Sequence, residues 1–328
     1  LAEARLLRAR GQEAEGLARL QSLWDQGRGP THEAAEADLE RWAFSAGPAA
    51  GEWRTLRDGR ELVRGFGCVE CHAIEPAVAV DVGTSCVACH QRVAGTANHP
   101  KELTAALQSE PDWYSHARNI RHYLYAPYLG TVGARMKREW LRAFLRRPVD
   151  VRPFLQESMP RLPLSDGQIE LALDYLEAVA ARRVGRVAPI DLPAGDLARG
   201  ESLFQERGCQ ACHLFGNRQF PEGPPATPWP RLAAENVRHA PNLRWARDRL
   251  RPEMIAAWIR EPQRYVPGTL MPAQKLPPQE LADLVAFLLH GDLGTPAPLA
   301  PEAALPEARR DPERVEEVTE VFHDMCKH

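Results

Sequence analysis

Apolar positions Leu6, Leu7, Leu17, Leu20 and Leu23 recur at roughly helical spacing among Ala, Arg and Glu, and they predict helices across residues 1–52. Thr31 reads as the N-cap of a second helix that ends near Phe44, ahead of the Gly47-Pro48 break. Two further amphipathic stretches run from Trp140 to Pro148 and from Met254 to Pro262. A short amphipathic helix is expected around Leu281 to Leu289, and no apolar run approaches the length a membrane span needs.

These elements recur in register. Gly59, Leu62, Gly67, Cys68, Cys71 and His72 superpose on Gly200, Leu203, Gly208, Cys209, Cys212 and His213. Ala126-Pro127-Tyr128-Leu129 then matches Ala240-Pro241-Asn242-Leu243, and the two amphipathic stretches follow. Each copy next reaches a Met-Pro pair, Met159-Pro160 and Met271-Pro272. Leu164 and Leu276 come next at equal distances, then the pairs Tyr175-Leu176 and Phe287-Leu288. Two copies of one domain are therefore expected.

Six of the seven cysteines fall into three copies of Cys-x-x-Cys-His: Cys68, Cys71 and His72; Cys86, Cys89 and His90; Cys209, Cys212 and His213. Zinc sites and thiol redox pairs also use Cys-x-x-Cys, but neither requires a histidine directly after the second cysteine. Covalent c-type haem does, because both thiols bond the haem vinyls and the adjacent imidazole becomes an axial iron ligand. Three covalent haems are expected.

The order helix, Cys-x-x-Cys-His, Pro-x-Leu, helix, Met-Pro and final amphipathic helix resembles the class I cytochrome c domain, over about residues 55–183 and 195–291. The resemblance implies an all-α fold of tandem cytochrome c domains. It divides the chain into a helical extension (1–52), a dihaem domain (53–185), a monohaem domain (186–291) and a Pro/Ala-rich linker (292–310). It also implies His and Met axial ligands, His72 with Met159 and His213 with Met271. A thioether is a soft ligand that raises the iron potential. Pro127 and Pro241 are expected to supply the carbonyl that holds the other nitrogen of the proximal imidazole. The first copy departs from the pattern by inserting the motif Cys86 to His90, for which no second Met-Pro unit exists. Its sixth ligand is expected to be a histidine, with His116 taken first and His99 and His122 as the other candidates. His122 also sits in Asn119-Ile-Arg-His122, which resembles Asn236-Val-Arg-His239 in the copy with no inserted motif.

Beyond the proline-rich stretch, Asp311 and Pro312 read as the start of a helix leading to Cys326-Lys327-His328. Two readings stand. Residues 311–328 open a further haem module with Cys326 as its first cysteine, giving a fourth haem, or Cys326 is a free thiol at a C-terminus.

The formal net charge of -3, to which every haem would add carboxylates, excludes nucleic acid as a partner. Covalent haem attachment implies export to the periplasm or another extracytoplasmic space, with a signal peptide or membrane anchor expected ahead of Leu1. The expected function is relay of electrons between redox proteins or respiratory-complex subunits. The alternative is a haem enzyme, a peroxidase or oxyanion reductase, with an open site at the second haem.

Overall fold

The computed structural model describes residues 1–25, 30–43, 49–75, 85–97, 99–109, 125–149, 151–152, 159–218 and 240–294. Among these the chain is helical, with no strand and one isolated antiparallel bridge, Met136 to Leu250. No described helix is long and apolar enough to cross a membrane.

The apolar spacing at the N-terminus forms the helices Ala2–Ala9, Glu13–Asp25 and Pro30–Ala43. The last begins at Pro30 and not after a Thr31 cap, because proline has its φ preset for a first helical turn and no N–H to leave unpaired there. Helix Ala49–Gly65 spans the boundary drawn at residue 52. Leu20, Trp24, Leu39, Trp53 and Leu56 share one buried cluster with Ile169, Leu173 and Tyr175, so the extension and the first repeat have a common core. Arg60 is buried within it, bridged to Glu75 at 2.6 and 2.9 Å and stacked 3.4 Å from the Trp24 ring. The Tyr175 hydroxyl donates to the same carboxylate at 2.7 Å.

Each repeat is closed by a first and a last helix crossing at a glycine. In the first, Ala49–Gly65 packs on Asp166–Val184; in the second, Leu197–Glu206 packs on Pro278–His290. A Cβ added at Gly59 would stand 2.3 Å from the Tyr175 Cβ, and one at Gly200 would stand 2.0 Å from the Asp283 carbonyl oxygen. Glycine is required at both positions because the backbones approach too closely for any side chain. Two of these four helices start from side-chain caps. Ser165 and Gln168 form a capping box, and the Asp196 side chain accepts from the Arg199 N–H at 2.8 Å. Phe204, Phe215 and Phe287 fill the second core, with ring centroids 4.4 to 5.8 Å apart.

Gly59→Ala and Gly200→Ala should each destabilise the haem-loaded chain by about 1–3 kcal/mol through overpacking. Denaturant unfolding followed by circular dichroism measures this, against Gly51→Ala, where the added methyl meets no neighbour.

Candidate haem sites

The two repeated motifs are built alike. A glycine in the left-handed region, Gly67 at φ 67 and Gly208 at φ 69, ends the preceding helix and turns the chain into a single helical turn carrying the cysteines. That turn is Cys68–Cys71 in the first repeat and the tighter Cys209–Ala211 in the second. It closes on the histidine in both, since the His72 and His213 N–H groups donate to the carbonyls of Cys68 and Cys209 at 2.9 and 3.0 Å.

Each imidazole then meets its proline carbonyl. His72 Nδ1 donates to Pro127 O at 2.8 Å, and His213 Nδ1 donates to Pro241 O at 2.9 Å. The segment is clamped a second time: Leu129 N–H donates to Ala73 O at 2.9 Å, and Leu243 N–H to Leu214 O at 2.8 Å. A proton committed to Nδ1 leaves the Nε2 lone pair available to a metal. Burial lowers both imidazoles below the ordinary histidine value, against the opposing effect of the carbonyl bond, so the ligating form is the neutral one.

The six motif cysteines are unpaired and half-buried. Burial pushes Cys68 and Cys212 up and Cys209 up to about 11, which keeps them as thiols at neutral pH. Unpaired thiols beside a neutral imidazole fit haem c, whose vinyl groups take up S–H. Cys209 and Met271 both pack against the cluster of Phe204, Phe215, Ile255 and Phe287, which brings the expected thiol and distal ligand of one site to one core. Cys68 packs on the corresponding core of the first repeat. Met159 is half-buried in the stretch that leads to the Ser165 cap.

The inserted motif lies on a longer helix, Cys86–Ala97, directly against the first. Ser85 Oγ donates to Glu70 O at 3.1 Å, the Cys86 thiol to Glu70 Oε2 at 3.9 Å, and the neighbouring Cys71 and Cys86 thiols perturb each other, which raises Cys71 and lowers Cys86. His90 is half-buried, and His99 is exposed just before helix Pro100–Ser109. His116, His122 and Cys326 lie outside the described residues.

Three side chains of consequence were not among the sequence candidates. Trp258 Nε1 donates to Met271 Sδ at 2.7 Å. Arg135 and Arg249 follow the Pro-x-Leu prolines at the same distance in the two repeats, a correspondence that lining up the repeats alone could have exposed. Burial lowers Arg135 to about 9, with repulsion from Arg249 as a further cause, and lowers Arg249 to about 10. Arg249 Nε is buried with no hydrogen-bond partner among the described residues.

An N–H bond to a thioether draws electron density away from the metal the sulfur ligates. Trp258→Phe should therefore lower the midpoint potential of the haem that Met271 is expected to ligate, on the order of 20–60 mV for a bond worth about 0.5–1.5 kcal/mol. Spectroelectrochemical titration reads this shift, and Phe144→Tyr, at the corresponding position of the first repeat, should leave that haem unmoved.

Comparison with known proteins bears on the second repeat. Residues 197–292 match the cytochrome c family model. A cytochrome c from Chlamydomonas reinhardtii is 31% identical over 108 residues, which cover 30% of this chain and 91% of that protein. No solved structure gives a significant match. The matched region holds Cys209, Cys212, His213 and Met271 on the geometry just described, and through it the chain belongs to the cytochrome c family.

Proposed function

We propose that the chain is a multihaem c-type cytochrome that relays electrons between redox partners, with the two repeats as tandem haem domains. The observation that carries this reading is the repeated clamp: His72 on Pro127 O and His213 on Pro241 O, each with the following leucine N–H tied back to the residue after the histidine. Only the second repeat matches the family model, yet the first holds its histidine in the same tautomer by the same bond.

In this reading Cys68 and Cys71 anchor one haem, Cys86 and Cys89 a second, and Cys209 and Cys212 a third. Haem iron, when bound, cycles between two oxidation states and so accepts and passes single electrons. The protein supplies the rest. His72 and His213 would offer Nε2 to the iron, Met159 and Met271 their thioethers, and the apolar cores of Phe204, Phe215 and Phe287 and of Leu173 and Tyr175 would exclude water. His90 would ligate the middle haem, with its sixth ligand drawn from His116, His99 or His122. Closed coordination suits relay and disfavours substrate chemistry. Covalent attachment places the protein outside the cytoplasm, with other redox proteins or respiratory-complex subunits as partners.

Pyridine haemochrome absorbance with intact mass and haem-peptide mapping should give three haems within residues 1–325 of the matured protein, and two or fewer would sink the reading. Reduced protein should also leave carbon monoxide unbound at all three irons. Rapid stoichiometric binding at one haem, with peroxide or oxyanion turnover, would make the chain an enzyme instead.

A further inference from the structure

The two repeats meet through contacts that come in reciprocal pairs. Met136 bridges Leu250 antiparallel, and the residues either side exchange backbone bonds: Lys137 N–H donates to Arg249 O at 2.8 Å, and Arg251 N–H donates to Arg135 O at 3.1 Å. Their side chains repeat the exchange, with Lys137 Nζ donating to Arg247 O at 2.7 Å and Arg251 Nη2 to Gly133 O at 3.1 Å. One sequence offset, the one that carries Pro127 onto Pro241, also carries Gly133, Arg135, Met136 and Lys137 onto Arg247, Arg249, Leu250 and Arg251. Each contact is thus the mate of another under a local two-fold axis through the Met136–Leu250 pair. The same offset relates the acceptors of two outer bonds, Val151 O from Asn242 N–H at 2.9 Å and Tyr265 O from Thr131 Oγ1 at 2.6 Å.

A two-fold docking sets like charge against like charge on its axis. Arg135 and Arg249 flank the bridge diagonally, and neither is paired with a carboxylate among the described residues. Arg135 spends two of its donors on Thr131 Oγ1 and Tyr128 O, both at 3.1 Å, while Arg249 Nε has no partner. Buried guanidiniums left this way are costly unless an anion meets them. Each also reaches across the axis. Arg135 of the first repeat stands 5.6 Å from the ring of Trp258, the residue whose N–H holds Met271 Sδ in the second. Arg249 of the second stands 5.9 Å from the ring of Trp140 in the first.

Resting on the reading that both repeats carry haem, we infer that Arg135 and Arg249 form one cationic seam shared by the two haem sites. Each arginine is the counter-ion for haem carboxylates on both sides of the axis and sets the potential of the haem in the other repeat as well as its own. The haems at His72 and His213 then behave as an electrostatically coupled pair: an electron arriving on one changes the midpoint of the other. A positive charge near an iron disfavours its oxidised form, so loss of either arginine lowers both midpoints.

The test uses the full haem-loaded chain. Pyridine haemochrome stoichiometry and haem-peptide mapping are measured first, and they report on whether both repeats are loaded, separately from the coupling. Met159→His and Met271→His backgrounds then identify which midpoint belongs to which repeat. Arg135→Gln should lower both assigned midpoints by comparable amounts, Arg249→Gln should do the same, and Arg135→Lys, which keeps the charge, should restore both. Shifts confined to the haem of the mutated repeat would overturn the inference by making the repeats electrostatically independent. Equal shifts in Arg135→Gln and Arg135→Lys would overturn it too, by assigning the effect to packing.

Discussion

The bond from the motif imidazole to a proline carbonyl organises each repeat. An imidazole can offer a lone pair to iron at one nitrogen only when its proton is held at the other, and the Pro127 and Pro241 carbonyls hold it there. The cost is topological, because a segment far along the chain must return beside the cysteine turn and stay. A second bond keeps it there, from the leucine N–H two residues after the proline to the carbonyl just past the histidine. Proline suits the acceptor position, since it has no N–H that would need a partner and its φ is already restricted.

What lies around this clamp is packing that brings the segment back. The crossings at Gly59 and Gly200 let a first and last helix approach until backbone meets side chain, which draws the two ends of each repeat together. The first repeat leans on more than its own residues. Trp24 and Leu39 of the N-terminal helices complete its core, and Arg60 is held between the Trp24 ring and Glu75, which also takes the Tyr175 hydroxyl. A buried charge held through Nε and Nη2 by that carboxylate and covered by the Trp24 ring makes the extension part of the fold it covers. The second repeat fills the equivalent space with Phe204, Phe215 and Phe287.

Charge is handled differently in the core and at the contact between repeats. In the core, Arg60 has a carboxylate and an aromatic face. Beside the local two-fold axis, Arg135 and Arg249 have no acid among the described residues, and burial with repulsion from neighbouring cations, Arg249 on Arg135 and Arg152 on Arg249, lowers both. Lys137 and Arg251 beside them are satisfied by carbonyls of the opposing short helices, Arg247 O and Gly133 O.

The Cys-x-x-Cys-His motifs, the Pro-x-Leu segments and the matching Met-Pro pairs were legible in the sequence, because each depends on residue identity at short spacing that a repeat displays twice. The helical class and the amphipathic faces were legible for the same local reason, though local rules misplaced the start of helix Pro30–Ala43, where Pro30 itself opens the first turn. Trp258 as donor to Met271 and the pairing of Arg135 with Arg249 were not legible, since nothing in a linear string says which aromatic N–H meets a thioether or which cations share an axis. The sequence by itself determined the chemistry each repeat can hold, which is a matter of ligand type and order. Only the tertiary structure decided that the N-terminal helices join the first core and that the repeats dock face to face, because burial and charge depend on which surfaces the folded chain brings together.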